Sequence, residues 1–312
     1  MYNGKVISLE TDMLRIGILP EIGGKMVSLF YKPKDKELLW MTPDGKFRKP
    51  NYGDVFEDYD MSGFDECFPA MAEGRYPSYP WKDILIPDHG ELWTLPWKHK
   101  VLENSIYLWV YGVRFAYRLD KRVTLDGNRL KLEYKVTNLA PFKFKYIWSA
   151  HPLFRVTSKT KIDFPLGSKV RIHWSHKKRF DIGASEYSWP LVRDKQGNEV
   201  NLSSVGCPDS KFADKFFVTN LSEGWCKLAE PQDKWSIKFS FSLDEIPCVG
   251  LWVNQGGWPP RNDGTGNHFN LGMEPCSSPY EDLSIADKED RCSTIPLEGT
   301  VGWNLTLELS EN

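Results

Sequence analysis

The stretch TLDGNRLKLEYKV, Thr124 to Val136, sets two alternating apolar runs on either side of an Asp-Gly pair. Alternation with period two places one face of each run in a core and the other in solvent, and Asp-Gly between such runs is a strong hairpin signal. Similar runs fill the chain: VISLET (6–11), LRIGIL (14–19), KMVSLFY (25–31), ELLWM (37–41), IYLWVYGVRF (106–115), RLKLEYKV (129–136), FKFKYIWSA (142–150), KVRIHW (169–174), KFFVTNL (215–221), WCKLAE (225–230), WSIKFSFSL (235–243), CVGLWVN (248–254) and VGWNLTLELS (301–310). No window of a dozen residues carries a helical stripe, so very little helix is expected. Thirteen or more strands cannot lie in one flat twisted sheet, and the expected fold is all-β, a large antiparallel sandwich. No linker divides the 312 residues and no repeat recurs, so a single domain over 1–312 is expected.

Composition narrows the function classes. With 40 basic and 42 acidic residues the formal charge is −2, too balanced for the cationic surface that nucleic acid requires. No apolar run is long enough to span a membrane, and the N-terminal residues lack the basic and apolar regions of a signal peptide, so a cytoplasmic chain without membrane or nucleic-acid partners is expected. The six cysteines, Cys67, Cys207, Cys226, Cys248, Cys276 and Cys292, are far apart with no CxxC pair and read as reduced thiols. His173 and His176, three apart, would face opposite sides of a strand, so no metal site is expected.

Two segments break the strand rhythm, 51–90 and 254–282, and both are too aromatic for disorder; ordered walls of a site are expected there. His151 in SAHPLF (149–154) and Glu274 in NLGMEP (270–275) each precede a proline after an apolar run, and His89 lies in the turn DHGELW (88–93). Carboxylate and imidazole at strand ends can exchange protons near neutral pH when partly buried. A hydrogen-bonded structural histidine and a turn-anchoring glutamate are the alternative readings.

The ordered set GFDECFP (63–69), DHGELW (88–93), WSAHPLF (148–154), FADKFF (212–217) and LGMEPCSSP (271–279) resembles the aldose 1-epimerase, or galactose mutarotase-like, superfamily. The resemblance runs from about residue 15 to the C-terminus and includes LPEIGGKMVSLFYKPKDKELLW (19–40). It implies a β-supersandwich with a monosaccharide or sugar derivative bound in an open cleft, an isomerase activity interconverting α and β anomers, and no cofactor. By this resemblance His151 is the general acid at the ring oxygen, His89 a second histidine beside it, and Glu274 the base at the anomeric hydroxyl. Asp214 and Arg75 match substrate-binding positions, and Trp93 and Trp258, with Trp81 and Trp97, could offer ring faces to the sugar. ECFP (66–69) is closer to the hexose-6-phosphate mutarotase branch, yet no arginine cluster for a phosphate is visible. A sugar-binding protein without catalysis is the alternative, as is a glycoside hydrolase or lyase pairing Glu274 with Asp65, Glu66 or Asp88. Which sugar is bound is not legible, and a homodimer is left open.

Overall fold

Alternation along the strands resolves into two large antiparallel sheets in a computed structural model that describes residues 4–42, 45–183, 185–261 and 266–311. The first sheet has eleven strands. Ten run in the spatial order Ile7–Glu10, Leu14–Leu19, Lys25–Tyr31, Phe64–Cys67, Ser149–Arg155, Phe269–Cys276, Cys248–Gln255, Ala213–Thr219, Lys169–Ser175 and Glu186–Ser188, and Lys36–Glu37 sits beside the third. The second sheet has eight, in the order Lys161–Asp163, Trp225–Glu230, Trp235–Phe241, Thr300–Glu311, Arg129–Asn138, Tyr117–Asp126, Ser105–Tyr111 and Lys98–Val101. One α-helix is present among the described residues, Leu283–Lys288, where the Asp282 carboxylate accepts from the Ile285 amide at 2.9 Å as an N-cap. No described helix is long and apolar enough to cross a membrane.

The hairpin at Thr124 forms as expected, with a shifted turn. Asp126 still pairs with Arg129, so the loop is Gly127-Asn128, and of those two only Gly127 has positive φ, at 58°. That is the pattern of a two-residue turn with glycine first. Other expected runs reproduce closely: Leu14–Leu19, Lys25–Tyr31 and Trp225–Glu230 begin and end where the alternation does. ELLWM does not form a full strand; beyond Glu37 it keeps only a bridge from Leu39 to Phe154.

The irregular segments hold more order than their composition suggests. Phe64–Cys67 and Phe269–Cys276, inside 51–90 and 254–282, are interior strands of the larger sheet. Acidic residues, Gly272 and Pro275 disguise them, because strand propensity reports packing against neighbours more than backbone preference. Residues 262–265 of the second segment lie outside the described residues.

The two sheets face each other across one buried cluster that draws on both, for example Phe154 against Phe239 with ring centroids 5.9 Å apart. Within it lies an ion pair that joins the layers: Lys121 Nζ donates to Glu66 Oε1 at 2.5 Å, and both side chains are almost fully buried. Glu66 also accepts from the Tyr134 hydroxyl at 2.7 Å and from Trp148 Nε1 at 3.1 Å, so both of its oxygens are satisfied. Glu66 therefore belongs to the core. Removing the cation leaves a buried carboxylate without its partner: Lys121→Met is expected to lower stability by about 3–5 kcal/mol, read from urea denaturation.

Candidate functional site

The centre of the larger sheet is where its hydrogen-bond ladder fails. The His151 strand pairs with the Glu274 strand at Ser149–Cys276 and again at Leu153–Gly272, and the interval between these pairs holds Pro152 on one side and Pro275 on the other. Proline has no amide hydrogen to give, so one proline on each strand, on either side of the rung between them, opens the ladder. Counting inward from either pair puts His151 opposite Glu274. Both residues thus sit inside strands that continue past their prolines, to Arg155 and Cys276; the expected strand-end placement is corrected, because the backbone on either side of the gap still pairs.

Neighbouring rungs extend the same face. His151 pairs with Asp65 on its other side, and Glu274 pairs with Gly250. Two residues along, Leu153, Gly272, Trp252 and Lys215 form the next rung pointing the same way. A bulge between Ile172 and Trp174 turns His173 and Trp174 together toward this side. Loops close the walls with Phe56, Glu57, Met71, Asp88, His89, Trp258 and Glu281, leaving a hollow of about 490 Å³. Three indoles, Trp174, Trp252 and Trp258, line it, with the Trp174 centroid 5.6 Å from Trp252 and 5.2 Å from Trp258.

His151 Nε2 lies 3.9 Å from Glu274 Oε1, and that oxygen, fully buried, has no hydrogen-bond partner. The other oxygen, Oε2, is held by Lys215 Nζ, which also lies 3.4 Å from Glu281 Oε1. His89 stands 5.1 Å from His151, ring edge to face, and its Nδ1 meets Asp88 Oδ1 at 2.9 Å. Asp88 is itself fixed, since its Oδ2 accepts from the Phe56 amide at 2.9 Å. His89 has φ of 57°, and Gly90 follows at 75°; a Cβ on Gly90 would lie 2.1 Å from the Phe68 carbonyl oxygen, so only glycine permits this turn.

The two imidazoles differ in charge. Burial alone would lower both. His151 follows it, and falls well below 6.5 with the charges of His89 and Lys215 adding to the effect. His89 is instead raised above 6.5, because the charge and hydrogen bond of Asp88, helped by Glu281, outweigh its burial. Burial also raises the Glu274 carboxyl above 4.5, with Lys215 the main opposing influence. Of the two imidazoles, His89 is the one that holds a proton more readily.

Of the expected site residues, His89, His151, Glu274 and Trp258 line the hollow. Asp214 does not: one residue from Lys215 in the same strand, it points to the opposite face, where Ser175 Oγ donates to it at 2.7 Å and Arg179 lies at 3.4 Å. Arg75 is exposed on a short strand, donating to the Asp83 carbonyl at 2.7 Å. Trp93 is buried behind Phe56 with Nε1 bonded to the Asp88 carbonyl at 2.9 Å, so it backs the wall without reaching the space. Trp97 is buried and Trp81 packs on Tyr76 and Phe144. Sequence reasoning missed Lys215, Glu281, Trp174 and Trp252. The FADKFF motif drew the choice to its aspartate, whereas strand parity puts its lysine in the cleft.

Neither a protein-family model nor a curated protein matches the chain. Solved structures do. The Slr1438 protein of Synechocystis sp. PCC 6803 aligns over 100% of both chains at 16% identity and a TM-score of 0.72. A galactose mutarotase-like protein of Lactobacillus casei ATCC 334 covers 98% of this chain and 100% of its own, at 17% identity and 0.66. A galactose mutarotase related enzyme of Lactobacillus acidophilus covers 98% of each, at 14% and 0.67. The fold is therefore the galactose mutarotase-like β-supersandwich.

Room for the carboxylate depends on Gly272, where an added Cβ would lie 2.6 Å from Glu274 Oε1 and 3.0 Å from Trp252 Cβ. Gly272→Ala is expected to fold, to lose about 1–3 kcal/mol from overpacking, and to show a displaced Glu274 carboxylate in a crystal structure.

Proposed function

We propose that the hollow binds a monosaccharide and interconverts its α and β anomers by opening the ring, as an aldose 1-epimerase. The observation that carries the reading is the buried, unpartnered Glu274 Oε1 facing an imidazole across 3.9 Å in a hollow lined by three indoles. A carboxylate oxygen kept free of internal partners suits a proton acceptor, and indole faces suit the C–H face of a pyranose.

Ring opening removes the proton from the anomeric hydroxyl while the ring oxygen gains one. Paired acid and base avoid both a free alkoxide and a free oxocarbenium ion. Glu274 takes the hydroxyl proton at Oε1. His89, the imidazole that holds its proton more readily, gives one to the ring oxygen, and neutral His151 hydrogen-bonds the substrate between them. This exchanges the roles that the resemblance gives the two histidines, and the cause is that only one is hydrogen-bonded to a carboxylate: Asp88 meets His89 Nδ1 at 2.9 Å, while Glu274 stands 3.9 Å from His151 Nε2 and His151 Nδ1 has no partner. Rotation about the C1–C2 bond and reclosure, with the proton transfers reversed, yields the other anomer.

Pairs of carboxylates for glycoside hydrolysis are less well served. Glu66 is consumed in the core, Asp65 is covered by Lys25 at 3.2 Å, and Asp88 is committed to His89 and the Phe56 amide.

Anomer exchange is measured by polarimetry or saturation-transfer NMR over a panel of aldoses. Glu274→Gln and His89→Asn are each expected to lower kcat by about 10² to 10⁴-fold. Binding without exchange in the wild-type protein would leave only a sugar-binding module. The pH profile of kcat is expected to be a bell. Its acid limb rises through the Glu274 carboxyl, above pH 4.5, because the base must be deprotonated; its alkaline limb falls through His89, above pH 6.5, because the acid must be protonated. In His89→Asn the alkaline limb disappears.

A further inference from the structure

We propose that Lys215 is a positioning residue for this reaction: its ammonium grips Oε2 of Glu274, thereby turning Oε1 toward the substrate and keeping the carboxylate ready to accept a proton. The inference rests on Glu274 being the base.

Lys215 and Glu274 are not on adjacent strands. The Cys248–Gln255 strand lies between theirs, and the residue it places opposite Glu274 is Gly250. A Cβ there would stand 3.1 Å from Glu274 Oε2 and 3.4 Å from Lys215 Cε. The missing side chain is the gap through which the lysine reaches across. From the far side Glu281 Oε1 holds the ammonium at 3.4 Å, and His173 Nε2 holds Glu281 Oε2 at 3.2 Å. Glu281 is pinned in turn, its carbonyl accepting from the amides of Met71 at 3.1 Å and Ala72 at 3.0 Å. The chain from His173 through Glu281 and Lys215 to Glu274 therefore ties the base to two walls of the hollow.

Glu66 in the core has both carboxylate oxygens engaged. In Glu274 one oxygen is held by Lys215 and the other is buried without a partner, at the lining of the hollow that Lys215 shares. The groups facing Glu274 are His151 from the adjoining strand, Lys215, Glu281 and His89 from the walls, and Cys67 from beyond the His151 strand. Burial pushes the carboxyl up and Lys215 is the strongest influence holding it down, while the nearby charge of Glu281 pushes it up further. Without the ammonium only the weaker pull of His89 is left to oppose burial and Glu281.

The test uses the whole chain with ¹³C-labelled glutamate, the Glu274 carboxylate signal being assigned by its loss in Glu274→Gln. In Lys215→Met the titration midpoint of Glu274 is expected to move to higher pH, the acid limb of kcat to move with it, and kcat at neutral pH to fall about 10²-fold with little change in KM. Lys215→Arg, which keeps the charge, is expected to restore most of both. Should Lys215→Met not fold, Lys215→Gln, which keeps a donor without the charge, gives the same comparison. An unchanged midpoint in the charge-free variant, or an arginine variant as impaired as the methionine one, overturns the proposal. If the wild-type protein exchanges no anomers, the reading of function falls, while the midpoint still decides whether Lys215 governs Glu274.

Discussion

A strand offers its side chains two directions only, and in the larger sheet one of those directions is filled by the core. Apart from His173 and Trp174, which a bulge turns together, every group of the candidate site therefore comes from alternate positions of a few adjacent strands, or from loops folded over them. His151 and Leu153, Glu274, Trp252 and Lys215 satisfy this rule, while Ala150, Phe154, Met273, Leu251 and Phe216 belong to the buried cluster behind them. The sheet is at once the floor of the hollow and one wall of the core. Neither can shift register without destroying the other.

Within that constraint, polar groups are treated in two opposite ways. Glu66 and its partners Lys121, Tyr134 and Trp148 form a closed set between the sheets, with each carboxylate oxygen engaged. On the cleft side of the larger sheet the pairing is left open: Glu274 Oε1 and His151 Nδ1 are buried and unpartnered. Burying a polar atom without a partner costs about 1–3 kcal/mol, which a fold tolerates where a ligand supplies the missing partner. What sets Glu274 apart is that its unpartnered oxygen lies beside an imidazole at the lining of the hollow, whereas Glu66 is closed off in the core.

Pro152 and Pro275 link the two halves of this arrangement. In most sheets a central proline is avoided because it removes a ladder hydrogen bond. Here the two prolines flank a single rung of one ladder, one on each strand, and that rung is where the imidazole and the carboxylate meet. Gly250 and Gly272 clear the space beside it, letting the Lys215 side chain and the Glu274 carboxylate lie flat over the sheet.

The alternation of apolar residues, the glycine turn at Gly127 and the lack of any helical stripe were enough to read an antiparallel two-layer β fold and many of its strands, because these depend on side chains local in sequence. The ordered motifs marked His89, His151 and Glu274 as candidates for one site. Strand parity next to a motif was not legible: nothing in FADKFF says whether Asp214 or Lys215 looks into the cleft, since that depends on which neighbouring strand fixes the register. Nor could the chain show that Phe64–Cys67 and Phe269–Cys276 are interior strands, because their polar residues and prolines are acceptable only once partners on both sides are in place. Asp88, which lifts His89, is its neighbour in the chain, but the burial of both imidazoles, the approach of His89 and Lys215 to His151 and the reach of Lys215 across Gly250 were decided by tertiary structure. They bring together groups distant in sequence whose fields act over a few ångströms, and that proximity exists only in the assembled sheet.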